Sequence, residues 1–316
     1  METRRRPKIR TLLEPLMIFA FLATIYLVYR FHNGGRLAHT EVLETADSYY
    51  NTISVLQSKD GIRHMVFGYK HHRYIESTYN PADPMELQLG YMRLMTLGVV
   101  YDPDPHNVLS IGMGAGQVSS YLLTTLPQIQ YTEVELDPEV VRLARKDFGY
   151  RDTPRRMVVV EDGRKFLMGH PDSFDLIMLD AYRGSFVPFH LLTREFYIEV
   201  KKHLTPGGIV VQNVDSTTLL FDTTMATLRQ GFQQTECFAA DGNLVVAAYD
   251  GPRKSDAELR LRAQSLDAQY HFRYPLEQLL GSRSCPATKA DAKPLTDDFA
   301  PVDALQAIDA HNRKRN

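Results

Sequence analysis

The sequence predicts an α/β protein built on a doubly wound, mostly parallel sheet. From residue 107 onward, short apolar segments alternate with amphipathic segments of helical length, which is the pattern of parallel strands linked by helices. Several of the segments that read as strands also end in glycine or acidic residues. Polar groups at successive strand ends are expected to meet at the carboxyl edge of such a sheet and to form a binding crevice there.

Length and composition are those of a globular protein. The 316 residues are 44% hydrophobic and 23% charged, with a formal net charge of −2 at pH 7. This charge gives no general attraction to nucleic acid, so a nucleic-acid partner is not expected. The two cysteines, Cys237 and Cys285, stand at no metal-ligand or redox-motif spacing. A zinc site or a disulfide framework is therefore not expected, and a single bridge between the two stays open.

The first 30 residues differ from the rest of the chain. Five basic residues precede a nearly continuous apolar run at residues 16–28, with Tyr29 and Arg30 after it. The run is short for a membrane span, which needs about 20 residues, but an interfacial tyrosine and a snorkelling arginine extend it. A cleaved secretory signal has a similar composition, but Arg36 stands where its cleavage site would need a small residue. We therefore predict an uncleaved anchor and a single-pass protein of the cell (inner) membrane.

The chain divides into five predicted units. A small β unit is indicated by alternating apolar and polar residues around a Lys-Asp-Gly turn at residues 59–61, and the α/β domain by the repeated strand, loop and helix pattern. Within that domain, residues 84–97 have helical periodicity, and residues 235–238 and 243–249 are strands that could form an antiparallel edge. The units are a basic segment (1–11), a transmembrane anchor (12–30), a small β unit (39–78), an α/β domain (79–252) and a helical and loop-rich extension (253–316).

A glycine-rich loop follows the first strand of the α/β domain. In VLSIGMGAGQ, residues 108–117, the loop contains Gly112, Gly114 and Gly116, and a predicted helix begins directly after it. Glycines let the backbone approach a ligand closely, and the helix N-terminus offers unpaired N–H groups. Because ordinary βα units also close with such loops, the motif indicates nucleotide binding only in combination with others.

Acidic residues end the next three strands. Glu135 and Asp137 follow about 20 residues after the glycine-rich loop, at the position where such folds hold ribose hydroxyls. Asp162 and Gly163 end the next strand, where a carboxylate and free backbone groups can bind an adenine edge. Asp180 ends the strand FDLIMLD, where partial burial favours proton uptake. We predict that Asp180 is a general base, the alternative being a cap of a helix or loop.

In combination, these motifs resemble those of the spermidine synthases, or polyamine aminopropyltransferases, and more closely those of a membrane-associated bacterial branch. The resemblance runs from about residue 40 to residue 248 and rests on the segments SYYNTISV, VLSIGMGAG, VELDPEVV, VEDGRKFL, FDLIMLDAY and PGGIVVQN, with LTDDFAPVD near the end. It implies a class I S-adenosylmethionine-type Rossmann-like fold. It also implies transfer of an aminopropyl group from decarboxylated S-adenosylmethionine to a small-molecule amine such as putrescine, with no metal.

The resemblance assigns roles to individual residues. Glu135 would bind the ribose hydroxyls, Asp162 and Gly163 the adenine, and Asp180 would remove a proton from the amine. Asn51 stands where the family usually has a cofactor-contacting glutamine. A homodimer is a further assembly to be expected.

Two positions depart from the family pattern. Ala115 stands where the family has an aspartate that meets the terminal amine of the cofactor, and Arg183 replaces a second aspartate three residues beyond the base. A cation at Arg183 would repel a diamine, so we expect specificity to be directed away from small diamines. The alternative is that Arg183 turns to solvent and that Tyr50 or Tyr182 holds the amine.

Three other functions share some of these features. A methyltransferase using S-adenosylmethionine would have the same loop and the same ribose and adenine contacts, and a membrane-tethered protein without catalysis could bind the same ligands. A Rossmann dehydrogenase fits less well, because the chain lacks a separate substrate domain. The side of the membrane stays open, since the basic N-terminus predicts a domain outside the cell membrane whereas the adenosyl donor is made inside.

Overall fold

The computed structural model describes residues 40–68, 73–102, 104–184, 186–240 and 242–298. The predicted basic segment and the predicted anchor at residues 12–30 lie outside these ranges. Within them, no helix combines the length and the apolar character that a membrane crossing requires.

The predicted small β unit is an antiparallel sheet of four strands in sequence order: β1 (Glu41–Asp47), β2 (Thr52–Gln57), β3 (Arg63–Phe67) and β4 (Tyr74–Tyr79). Its inner face packs on a helix of the larger domain through a cluster that includes Ile53, Met65 and Leu143. The pairing of β3 with β4 is irregular, because Met65 pairs with Ser77 and the next residue, Val66, pairs with Ile75. Glu76 is therefore the extra residue of a β-bulge.

Two short helices connect the sheets, α1 (Gly90–Met95) and α2 (Gly98–Tyr101). The predicted helix over residues 84–97 was thus too long. Leu89 is extended, with φ −94° and ψ 135°, and the Nε of Arg93 donates to the Leu87 carbonyl at 2.7 Å. The apolar residues before Gly90 enter the core from an extended segment, which gives them burial without helical geometry.

The large sheet has seven strands: β5 (Asn107–Ile111), β6 (Gln130–Glu135), β7 (Arg156–Val160), β8 (Phe174–Leu179), β9 (Leu204–Asp215), β10 (Gln234–Ala240) and β11 (Asn243–Tyr249). Their order in the sheet is β10-β11-β9-β8-β5-β6-β7. The five strands β5 to β9 are parallel, whereas β11 pairs antiparallel with β9 and β10 antiparallel with β11. The predicted doubly wound sheet and its antiparallel edge are therefore both observed.

Helices cover both faces of this sheet, and several begin at a capping side chain. Asp137, Asp162 and Thr193 each accept hydrogen bonds from backbone N–H groups of the helix that follows. Ser255 does the same through the N–H of Glu258, in a Ser-x-x-Glu sequence. The helices are α3 (Gln117–Thr125), α4 (Pro138–Asp147), α5 (Gly163–Gly169), α6 (Arg194–Lys202), α7 (Phe221–Gly231), α8 (Asp256–Tyr270) and α9 (Leu276–Leu280), with a 3₁₀ turn at Phe189–Leu191.

The two faces of the sheet form two apolar cores. One contains side chains of α1, α2 and α3 together with Leu259, Ala263 and Leu276 of the C-terminal helices α8 and α9. The other contains side chains of α5, α6 and α7, including Phe166, Phe196 and Leu228. Helices α8 and α9, which lie beyond residue 252, thus pack against one face of the large sheet and contribute to its apolar core.

The two cysteines form a disulfide. Cys237 in β10 is bonded to Cys285, which follows α9, with their Cα atoms 5.0 Å apart. The sequence did not favour a bridge because the cysteines lie 48 residues apart in no recognisable pattern. They meet because α8 and α9 lead the chain back to the antiparallel edge, where the backbone N–H of Ser284 donates to the carbonyl of Cys237.

Candidate active site

A cavity of about 1120 Å³ opens at the carboxyl edge of the parallel strands. It lies where the strand order reverses, because β5 is followed in the chain by its neighbour β6 on one side while its other neighbour, β8, comes later. Ligands of open α/β sheets bind at this switch point. The small sheet forms a further wall, so the cavity is enclosed by both parts of the fold.

The glycine-rich loop lines the cavity through Gly112 and Gly114, whereas Gly116, directly before α3, is not among the lining residues. Gly112 has φ +90°, and a Cβ atom there would lie 2.3 Å from the carbonyl oxygen of Asp180. Gly116 has φ +70°, and its Cβ would lie 2.4 Å from the Tyr150 ring. Only glycine combines these backbone angles with such close approach.

Glu135 lies at the end of β6 with its carboxylate held by the backbone. Its two oxygens accept hydrogen bonds from the N–H groups of Met113, at 3.1 Å, and Asp137, at 3.0 Å. Burial raises the pKa of Glu135 above its usual range, against these hydrogen bonds. Each oxygen keeps a second lone pair, so the side chain can accept from a pair of ligand hydroxyls.

Asp137 has a structural task in addition to its place at the cavity wall. It caps α4 by accepting from the N–H of Glu139 at 2.9 Å, and it also accepts from the Ser48 hydroxyl at the edge of the small sheet. With 4% of its surface exposed, it joins the small sheet to the α/β domain.

Asp162 and Gly163 also line the cavity. Asp162 caps α5 through the N–H groups of Arg164 and Lys165, and its other oxygen lies 2.7 Å from His190 Nε2. The hydrogen bond with His190 holds the pKa of Asp162 below its usual range. A Cβ at Gly163 would lie 2.2 Å from the Ile111 side chain, so this position requires glycine for close packing.

Asp180 lies at the end of β8 on the cavity wall. It accepts a hydrogen bond from Asn213 Nδ2 at 2.8 Å and another from the Tyr91 hydroxyl. Burial raises its pKa to about 6, and the two hydrogen bonds act in the opposite direction. A carboxylate with this pKa is ionised at neutral pH, and its pKa is close enough to 7 for the group to accept a proton during a reaction.

The four remaining predicted residues also line the cavity. The Arg183 guanidinium is exposed and donates to the carbonyl of Tyr50 at 2.9 Å, so it is tied to the rim formed by the small sheet. The Tyr182 hydroxyl is fixed by the N–H of Asp215 at 2.7 Å and by the carbonyl of Asn213 at 3.3 Å. Asn51 lies beside Tyr50.

Three residues at the centre of the cavity were not identified from the sequence: Glu76, Tyr91 and Asn213. Asn213 could have been found, because it ends the quoted segment GGIVVQN and so lies at the same sheet edge as Asp180. Tyr91 is the single aromatic residue of the predicted helical segment 84–97, and nothing in that segment distinguishes it from a core residue. Glu76 is positioned by a bulge that no sequence pattern revealed.

The cavity wall is strongly acidic. Against two basic side chains, Arg73 and Arg183, it contains the eight acidic residues Glu76, Glu133, Glu135, Asp137, Glu161, Asp162, Asp180 and Asp215. Two of the eight, Glu133 and Glu161, are already paired with Arg156 and Lys165, and the other six still outnumber the basic side chains. Ligands with positive charge are therefore favoured there. In the described part of the chain, no group of three or more His, Cys, Asp or Glu side chains is arranged to hold a metal ion.

Comparison with known proteins agrees with this geometry. The model of the spermine/spermidine synthase domain matches residues 90–241. A polyamine aminopropyltransferase of Vibrio vulnificus is 27% identical over 300 residues, covering 92% of this chain and 98% of that protein. A probable spermidine synthase from Corynebacterium glutamicum has a similar structure, with a TM-score of 0.64 and 22% identity over 83% of this chain and 98% of that one. Human methyltransferase-like protein 13, solved in complex with SAH, has a TM-score of 0.52 and 23% sequence identity, covering 66% of this chain and 99% of that one.

The fold and cavity thus define an α/β protein of the Rossmann-like class with an acidic site at the switch point. Residues 90–241 match the spermine/spermidine synthase domain, and curated relatives of the chain are named polyamine aminopropyltransferases. The predicted resemblance to the spermidine synthases is confirmed, and so is the predicted enzyme class. The structural similarities by themselves show only the fold, which methyltransferases share.

Proposed function

We propose that this protein transfers the aminopropyl group of decarboxylated S-adenosylmethionine to a primary amine. The observation that carries the proposal is the placement of Asp180, with a pKa of about 6, in an acidic cavity beside the glycine-rich loop. The donor has a sulfonium and an ammonium group, and the acceptor is an amine, so every reactant brings positive charge to this wall. The aminopropyltransferase relatives support the same reaction.

The residues of the cavity divide the work between binding and proton transfer. Glu135 accepts from the ribose hydroxyls of the donor, and the loop from Gly112 to Gly116 lets the backbone approach the sulfonium end. Asp180 takes a proton from the acceptor ammonium, which frees the nitrogen lone pair. That lone pair attacks the carbon bonded to sulfur, the C–S bond breaks, and methylthioadenosine leaves with the bonding electrons.

Tyr91 and Asn213 act by orienting the base. Both donate hydrogen bonds to Asp180, so its carboxylate has a fixed direction toward the cavity. Since the sulfonium is already a good leaving group, holding donor and acceptor in line and removing one proton are the main contributions that the protein must make.

A methyltransferase using S-adenosylmethionine is the second candidate. It is favoured by one observation, the absence of a carboxylate at Ala115, which would otherwise disfavour a donor that carries its own carboxylate. The shared fold of methyltransferase-like protein 13 agrees with this alternative.

Product analysis separates the candidates. The full-length protein in detergent is incubated with a primary diamine and either decarboxylated S-adenosylmethionine or S-adenosylmethionine, and the nucleoside product is identified by chromatography. We expect methylthioadenosine from the decarboxylated donor, and only when an amine is present. S-adenosylhomocysteine from the other donor would establish the methyltransferase instead. Ligand binding without either product would leave a non-catalytic binding protein.

We also propose that the protein is tethered to the cell membrane through residues 12–30. The proposal is supported by the apolar run and its basic flank. The basic flank predicts that the domain lies on the outer side of the cell membrane. The Cys237–Cys285 bridge agrees with this, because disulfides persist in oxidising compartments. The donor and acceptor would then have to reach that side. A homodimer stays a prediction, to be measured by light scattering of the purified protein.

Fusions at the C-terminus test the tether and the side together. We expect alkaline phosphatase to be active and a cytoplasmically folding fluorescent protein to be dark, with both fusions in the membrane fraction. The reverse pattern would place the domain inside, and recovery of both fusions in the soluble fraction would refute the tether.

A further inference from the structure

Glu76 is turned into the cavity by the irregularity of the small sheet. As the extra residue of the bulge in β4, it has no partner residue in β3, and its side chain lines the cavity. Bulges of this kind re-aim a side chain and are common beside active sites. The bulge therefore brings a carboxylate from the small sheet to the reaction centre of the α/β domain.

The surroundings of Glu76 lack a neutralising cation. One of its oxygens accepts a hydrogen bond from the N–H of Gly184 at 3.0 Å. Burial, and next the charge of Asp180, raise its pKa to about 8, and Glu135 adds a smaller repulsion. No lysine or arginine of the described residues forms an ion pair with Glu76, Glu135 or Asp180. Such a carboxylate gains much from a cationic ligand, because the ligand supplies the missing charge.

The neighbour of Glu76 contacts the glycine-rich loop at the position that departs from the family pattern. The hydroxyl of Ser77 accepts from the N–H of Ala115 at 3.0 Å, and a Cβ at Gly114 would lie 2.6 Å from the same oxygen. The chain at Glu76 thus runs directly beside residue 115. Residue 115 has no carboxylate of its own. Its hydrogen-bond partner is Ser77 in the small sheet, and the residue next to Ser77 in the chain is Glu76.

We propose that Glu76 binds the primary ammonium of the aminopropyl donor and so selects a donor without a carboxylate. This assignment rests on the proposed aminopropyl transfer. Glu76 pairs with the ammonium of the decarboxylated donor, whereas the carboxylate that S-adenosylmethionine carries beside its amine is repelled by Glu76, Glu135 and Asp180. The charge at this subsite is thereby supplied by the small sheet and not by the glycine-rich loop.

Binding measurements on Glu76→Gln test the proposal. Calorimetry on the full-length protein compares decarboxylated S-adenosylmethionine, S-adenosylmethionine and methylthioadenosine, which lacks the aminopropyl group. We expect the affinity for the decarboxylated donor to fall about 10- to 100-fold, the scale for losing a charged hydrogen bond, with methylthioadenosine affected less than about twofold. Glu41→Gln is the matched control, since it makes the same charge change on an exposed residue of β1. It should alter none of the three affinities.

The proposal also predicts proton release, which requires no variant. Glu76 is faced by Asp180, Glu135, Tyr91 and Tyr182. At pH 7.5 Asp180 is already ionised and the tyrosines are neutral, so uptake of an ammonium should release a proton from Glu76. Calorimetry in buffers of different ionisation enthalpy should show this release with the decarboxylated donor and not with methylthioadenosine.

Three results would overturn the assignment. Unchanged donor affinity with a raised acceptor KM would place Glu76 in the acceptor subsite, and equal losses for the donor and methylthioadenosine would make it structural. Equal proton release with both ligands would also exclude it. Failure of the proposed function looks different, because the wild-type protein would then neither bind nor use the decarboxylated donor.

Discussion

Two groups of acidic side chains flank the glycine-rich loop, one buried and one partly buried, and they differ in what surrounds them. Glu133, 1% exposed, accepts hydrogen bonds from Arg156 at 2.9 Å, from Ser119 at 2.6 Å and from Tyr150 at 2.5 Å. Arg156 also donates to the carbonyl of Gly116 at 3.0 Å. This group, the paired centre, is complete within the protein and holds the loop in place.

Glu76 and Asp180 form the second group, the unpaired centre. Their hydrogen bonds come from neutral donors, Gly184, Asn213 and Tyr91, and the pKa values of both carboxyls are raised. A partly buried charge without a charged partner lowers stability, so its presence indicates a task in binding or catalysis. The comparison therefore predicts that substitutions in the paired centre reduce stability and that those in the unpaired centre reduce function.

The largest effect is expected for Asp180→Asn. The change keeps size and polarity but removes basicity, so kcat should fall about 10²- to 10⁴-fold while methylthioadenosine binding stays the same. For the wild type, kcat/KM should fall as the pH drops below about 6, because a protonated Asp180 cannot accept the proton of the amine. The variant should lose this limb of the profile.

The stability of the Asp180→Asn variant provides a second test. The folded-state pKa of Asp180 is raised, so its ionisation opposes folding above pH 6, and Asn should leave the free energy of unfolding at pH 8 unchanged or slightly higher. Near-wild-type turnover together with reduced stability would show that Asp180 is a structural cap.

The next effect, on stability, is expected for Arg156→Met in the paired centre. Removing the cation leaves Glu133 buried and unneutralised, which should cost about 3–5 kcal/mol in the free energy of unfolding, measured by urea titration. Arg142→Met is the control, since Arg142 pairs with Glu44 and Glu139 while 41% exposed and should cost about 1 kcal/mol or less. Equal losses in the two variants would remove the distinction between the two centres.

A smaller effect is expected for Glu135→Ala, which tests the ribose contact. Methylthioadenosine affinity should weaken by about 1–3 kcal/mol, because a charged acceptor of two hydroxyls is lost. Glu139→Ala, in the first turn of α4, should leave the affinity unaltered. If Glu135→Ala binds as well as the wild type, Glu135 does no more than accept from the two backbone N–H groups.

The sequence predicted the sheet and its edge of polar strand ends, because hydrophobic periodicity and strand-end chemistry are local properties. Helix α3 begins directly after the glycine-rich loop, as predicted, and Glu135, Asp162 and Asp180 were all found at the cavity. Glu76 was missed because its direction depends on a bulge and on the docking of the small sheet. The pairing of Cys237 with Cys285 depends in the same way on how α8 and α9 return the chain to the sheet edge.

The last and smallest effect concerns the rim of the unpaired centre. Arg183 was expected to direct specificity away from diamines, but its guanidinium is exposed and bonded to the Tyr50 carbonyl, so solvent screens its charge. Arg183→Asp should raise kcat/KM for putrescine by about fivefold, near 1 kcal/mol, since a repulsive charge becomes attractive.

Arg151→Asp is the matched control, because Arg151 is also exposed and donates to a backbone carbonyl, that of Tyr150 at 3.0 Å, outside the cavity. It makes the same change of charge at a distance from the acceptor, so it should leave putrescine turnover unaltered.

Adding Ala115→Asp to Arg183→Asp separates the effect of the rim from that of the cavity interior. Ala115 is 1% exposed and packs in the apolar cluster with Ile53 and Leu143, so a carboxylate at residue 115 would be poorly solvated and should add little attraction for an amine. A large further gain from Ala115→Asp would mean that Glu76 leaves the subsite beside the loop uncharged, and the charge would then belong at residue 115 after all.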